Sequence, residues 1–140
     1  MKQIVMELPD TTYAAEPAMW DALFDAMQKA VNRMAVGYAK YHLDKNVPLM
    51  DDDADTVAFI RQRLAMYVGP TDTACDCDRV DGRHAPTCFL VVYRRKLDTG
   101  NIENLLDVAN GCFVEFIRPS HTKAHFKSQT SSDSPGLARK

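Results

Sequence analysis

Apolar side chains recur at intervals of three and four residues in three separate stretches of this chain, and that spacing constrains its fold class more than any other feature. The longest stretch runs from Pro17 to about Tyr41. Trp20, Leu23, Phe24, Met27, Val31, Met34 and Tyr38 draw one stripe down a helix. Pro17 suits the first helical turn, and Gly37 marks a tolerated interruption or a place of close packing. Trp20 begins the stripe, so it is expected to be largely buried against the later helices. A second helix is expected to open at Asp51, Asp52 and Asp53, where acids favour the positive end of the macrodipole and an Asp can cap. Its stripe is Val57, Ile60, Leu64 and Tyr67, and Gly69 and Pro70 end it.

A third helix is expected from Ile102 to about Arg118, capped by Asn101 and stopped by Pro119. Its core stripe reads Leu105, Ala109, Cys112 and Phe116, flanked by Leu106, Phe113 and Ile117, which makes Cys112 a buried core thiol. The run FLVVYRRKL (89–97) has the composition of a strand and the spacing of a helix; helix is the reading taken. Residues 2–8 form a short strand or an ordered arm ending at Pro9. The expected fold is therefore mainly α: a compact bundle of three to four helices. One helical domain covers 1–118, with 70–88 inserted as a loop. A polar, basic tail follows over 119–140, flexible past Ser128.

Composition excludes several classes. The chain has 140 residues, 46% hydrophobic and 26% charged, which is globular and not disordered. No apolar run approaches the roughly 18 residues of a membrane span. The start, MKQIVMELPD, lacks the apolar core of a signal peptide, so the expectation is a cytoplasmic protein away from membranes. The net charge of −2 argues against a broad grip on nucleic acid. The charge is uneven: Glu103, Asp107 and Glu115 stand without a base in 99–117, while 118–140 hold five bases and only Asp133. A solvated helix face and a polar tail are the simplest account of that asymmetry.

The inserted loop reads CDCDRVDGRHAPTC and places Cys75, Cys77, His84 and Cys88 at the spacing C-x-C-x6-H-x3-C. Three soft sulfurs and one imidazole match a tetrahedral zinc set. Asp81 and Gly82 supply a turn between them, and Pro86 stiffens the approach to Cys88. A disulfide, which needs an oxidising compartment, and free surface thiols are the competing readings. Four protein ligands leave no open position, so the zinc would be structural and would fix a docking surface.

Glu103, Asp107 and Asn110 share one face of the third helix, opposite the apolar stripe. Such a face can be solvated, or its oxygens can hold Mg²⁺. Here a resemblance enters. The run ENLLDVAN (103–110) resembles the last helix of small phage proteins in the nucleotide-modification-associated class, which is similar to MazG-like all-α nucleotide pyrophosphohydrolases. GYAKYH (37–42), IRQRLAMY (60–67) and NIENLLDVANGCFVEF (101–116) match that class in order, and HTKAHFKSQTSSDSPG resembles tails of phage and actinobacterial proteins. The resemblance implies carboxylates on two helices that hold Mg²⁺ against nucleotide phosphates, with Asp107 as the metal-binding Asp. Asn104 stands where the class has a second Glu, and the first helix offers only Asp21 and Asp25. Arg63, Lys40, His121, Lys123 and His125 are the candidates to meet phosphates.

Two functions follow as expectations. One is a zinc-stabilised, non-catalytic binding module of phage type that modulates a host protein. The alternative is a Mg-dependent nucleotide-binding or nucleotide-hydrolysing protein, with Glu103, Asp107 and Asn110 as its catalytic set. Nucleic-acid binding ranks last, because Arg79 and Arg83 are outweighed by Asp76, Asp78 and Asp81. Self-association stays open.

Overall fold

The computed structural model describes residues 2–51, 54–70, 75, 77 and 84–127. The fold is mainly helical, and the described residues contain no strand. Among the described residues five α-helices follow in order: α1 (Asp10–Ala15), α2 (Pro17–Tyr38), α3 (Thr56–Val68), α4 (Phe89–Val92) and α5 (Glu103–Ile117). Residues 2–9 have no regular structure, so the N-terminal segment is an arm and not a strand. Tyr13 of α1 donates its hydroxyl to Asp21 of α2 at 2.7 Å, which ties the two helices together.

Pro17 occupies the first turn of α2, where its missing N–H leaves no bond unmade. The helix then widens into a π-helical turn, Ala39–Leu43. The cap of α3 is not in the Asp51–Asp53 run. Asp51 ends a 3₁₀ turn (Leu49–Asp51), Asp52 and Asp53 lie outside the described residues, and Asp55 caps the helix instead. Its Oδ1 accepts the Ala58 N–H at 2.9 Å, satisfying one of the orphan donors of the first turn.

The other end of α3 is closed by the segment that leads into α5. The N–H groups of Asp98, Thr99 and Gly100 donate to the carbonyls of Ala65, Met66 and Tyr67 at 3.2, 2.9 and 3.3 Å. Gly69, at φ +105°, turns the chain away. The run 89–97 is helical, as α4 followed by a 3₁₀ turn at Arg94–Lys96. Asn101 serves the start of α5 as expected: its Oδ1 accepts the Glu103 N–H at 3.1 Å.

Helix α5 is the centre of the bundle and runs antiparallel to both α2 and α3. Asn110 meets Ala30 of α2 while Glu103, earlier in α5, meets Arg33, later in α2. Arg118 at the end of α5 donates to Thr56 at the start of α3 at 2.8 Å.

The faces that pack are not the apolar stripes. On α5 the buried residues are Asp107, Asn110 and Gly111, while Phe116 is 71% exposed and Cys112 is also exposed. Cys112 is therefore no core thiol. The cause is close approach: a Cβ on Gly111 would lie 2.7 Å from Ile60 Cγ1 and 3.1 Å from Phe59 Cδ1. On α2, Ala30 is buried, whereas Leu23, Val31 and Tyr38 are exposed. Trp20 is only half-buried. On α3, Ala65 and Met66 are buried and Leu64 is exposed. Small side chains let the helix axes come together, and that geometry rotates each stripe away from the position its bulkiest residues suggest.

Candidate metal centre

Cys88 sits at the N-cap of α4, and its carbonyl accepts the N–H groups of Val91 and Val92 at 3.0 and 2.9 Å. A turn over Pro86 and Thr87, closed by the Cys88 N–H on the Ala85 carbonyl at 2.9 Å, returns the chain toward His84. This local geometry brings the His84 ring against Cys75 and Cys88: Nδ1 lies 3.3 Å from Cys75 Sγ and 3.6 Å from Cys88 Sγ. Cys77 completes the set. One ligand atom from each of the four residues lies within 4.8 Å of the others, and the four can hold a metal ion. A zinc tetrahedron with metal–ligand bonds of about 2.0–2.3 Å has edges of roughly 3.3–3.8 Å, so His84 Nδ1 already stands at that spacing from the Cys75 and Cys88 sulfurs.

The disulfide reading finds no support in this geometry. All four cysteines are free of disulfides. The cluster is also no exposed surface feature, since Cys88 is buried and the other three members are half-buried. A backbone hydrogen bond at Ala85, then the His84 side chain, draw the Cys77 thiol down to about 7, while burial pushes Cys88 up. The cluster faces α3 across a groove of about 410 Å³ that Asp55, Ala58 and Arg61 line. Asp81, Gly82 and the charged residues around them lie outside the described residues.

The second candidate set is also brought together, in a different role. Asp107 and Asn110 are buried in the helix interface, and Glu103 stands exposed at its rim. Arg33 of α2 holds both Asp107 oxygens, Nε on Oδ1 and Nη2 on Oδ2 at 3.0 Å, and its Nη1 reaches Glu103 at 2.8 Å. Those carboxylates, Asp107 first, raise the Arg33 guanidinium further above its ordinary value. Arg63 Nε approaches Asp107 Oδ2 at 3.6 Å, with the guanidinium 4.8 Å over the Phe59 ring. Asn110 Nδ2 donates to the Ala30 carbonyl at 2.8 Å. Lys40 and Arg63 line one groove of about 590 Å³ with Asp107 and Asn110. His121, Lys123 and His125 are exposed beyond the far end of α5, roughly 15 Å or more along the helix from Asp107.

No known protein family, curated protein or solved structure matches the chain. Its own geometry must carry the functional reading. The first-helix carboxylates do not join Asp107. Asp21 accepts from Tyr13 and Asp25 pairs with Lys29, about 18 and 12 Å along α2 from Arg33.

Sequence reasoning missed Arg33 and Gly111. Gly111 carried a usable signal: glycine inside a helix costs about 1 kcal/mol against alanine, which asks for a packing reason. Arg33 carried none, because its partners lie 70 and 74 residues away.

Proposed function

We propose that this chain is a zinc-stabilised helical binding module that docks on a partner protein without catalysing a reaction. One observation carries the reading: the donor atoms of Cys75, Cys77, His84 and Cys88 lie within 4.8 Å of one another. Three thiols and an imidazole are soft and borderline ligands that suit Zn²⁺ over Mg²⁺ or Ca²⁺. Four protein ligands close the coordination sphere, so the ion supplies structure and no reactive water. The cluster stands against α3, and Cys88 leads directly into α4, so a bound ion would tie the loop's ends to one side of the bundle.

The magnesium alternative meets an obstacle at Asp107. Both of its oxygens are engaged by guanidinium groups, so a Mg²⁺ ion would have to displace Arg33 from Asp107. The test compares wild type with Cys88→Ser as baits for cross-linked capture, with and without chelator. A defined partner held by zinc-loaded wild type and lost from both controls supports the module. Identical capture by wild type and Cys88→Ser, or Mg²⁺-dependent pyrophosphate release from a nucleotide panel, overturns it.

A further inference from the structure

A second groove lies beside the Arg33–Asp107–Arg63 bridge, between the end of α3, the Arg94–Lys96 turn and the start of α5. It encloses about 340 Å³, and Arg33, Arg63, Arg95, Lys96, Asn101 and Asp107 are among its walls. Its charge is unbalanced. Four cations line it, opposed by Asp107 in the wall and by Glu103, which holds Arg33 from behind. Arg33 spends its guanidinium on those two carboxylates. Arg95 and Lys96 have no carboxylate partner among the described residues; Lys96 touches only the Tyr93 ring, at 5.7 Å.

Arg63 Nε is buried against Asp107 Oδ2 at 3.6 Å and Nη1 meets Met66 Sδ at 3.3 Å, which among the described residues leaves Nη2 as the arginine's free donor toward the groove. The positive end of the α5 macrodipole opens on the same groove through Asn101 and Asn104. The Asn101 side chain turns its oxygen to the helix, onto the Glu103 N–H.

The ligand this geometry fits is an anion of charge near −2 with several acceptor oxygens. A phosphate monoester has both properties, and Arg and Lys side chains are its usual partners. The volume is at the lower end of the 300–1,000 Å³ or so of small-molecule sites, which leaves room for a phosphate and a sugar-sized body. We propose that this groove binds a phosphate monoester of a small molecule, held by Arg95, Lys96 and Arg63, with no metal ion. The site stands apart from the docking function, but the metal loop positions it: Cys88 opens α4, and α4 runs on into the Arg94–Lys96 turn.

Calorimetric titration of the zinc-loaded full chain with ribose 5-phosphate, inorganic phosphate and ribose tests the proposal. Ribose 5-phosphate is expected to bind with a Kd below about 1 mM, weakening as salt rises. Neutral ribose is expected to give no heat. Arg95→Gln and Lys96→Gln should each weaken binding about tenfold, as loss of one charge-assisted contact does, with zinc content and melting temperature unchanged. Inorganic phosphate binding as tightly as the ester supports the site and assigns it to the free ion. No heat for either phosphate up to about 10 mM, or unaltered binding in both variants, overturns it. Zinc content and partner capture are read separately, so failure here leaves the docking function standing.

Discussion

The metal loop and the α2–α5–α3 interface both place polar groups where a larger protein would place apolar ones, yet they differ in reach. The cluster joins residues four and nine apart, His84 to Cys88 and Cys75 to His84. The interface joins Arg33 to Asp107 and Asn110 to Ala30, 74 and 80 residues apart. A short loop costs little entropy to close, but this one has almost no apolar side chains to hold it closed, and its four clustered donors could hold a metal that does so. The helices have the reverse situation. Their closure is long-range, and small residues with a few buried polar pairs fix which faces meet. Polar groups act as a local clamp in the first region and as a selector of helix orientation in the second.

The largest effect expected from breaking this contrast is at the loop. Cys88→Ser should abolish stoichiometric metal binding and make residues 70–92 sensitive to protease, while far-UV circular dichroism keeps most of its helical signal. Collapse of the whole helical signal on chelation would show that the bundle leans on the metal, and the contrast between the regions would fail.

Next in size is Gly111→Ala. The added methyl would overlap Ile60, and overpacking of this kind costs about 1–3 kcal/mol in chemical denaturation. Zinc content should not change. A neutral or stabilising result would mean that α3 and α5 are not in close contact there.

Asp107→Asn should come third. It leaves Arg33 with one carboxylate in place of two, and hydrogen bonds between charged groups contribute about 1.5–3 kcal/mol each when shielded. Arg33 remains partly exposed, so about 1–2 kcal/mol is expected, seen as a melting temperature lower by several degrees. An unchanged melting temperature would remove the orienting role of the pair.

Much of the fold was legible in the sequence, for reasons that can be named. Helix existence followed from spacing, and the ends followed from Pro17, Gly69, Asn101 and Pro119. The metal set was legible because all four ligands lie in one short loop. The choice of faces was not. Leu105, Cys112 and Phe116 out-rank Asp107, Asn110 and Gly111 in hydrophobicity, and only the distant partners Arg33, Ala30 and Ile60 show why the second set turns inward. The tail past Ser128 lies outside the described residues, and among those described no helix is long and apolar enough to cross a membrane.

The smallest effect concerns the end of α5. Glu115 accepts from the Ser120 hydroxyl and from its N–H at 2.9 Å, and these bonds, the hydroxyl first, hold its carboxyl below the ordinary value of 4.5. A depressed folded pKa stabilises the protein above about pH 4.5, and that contribution is lost as pH falls through the folded value. Ser120→Ala should make stability fall less steeply on acidification below that point. An identical pH profile would show that the Glu115–Ser120 clasp contributes nothing.

The most direct test of the account is the metal content of the full chain purified without chelator. Elemental analysis should find about one zinc per chain in wild type, with Cys112→Ser equal to it and Cys88→Ser close to zero. Less than about a tenth of an equivalent in wild type, or a full equivalent retained by Cys88→Ser, would contradict the claim that Cys75, Cys77, His84 and Cys88 form a closed zinc site.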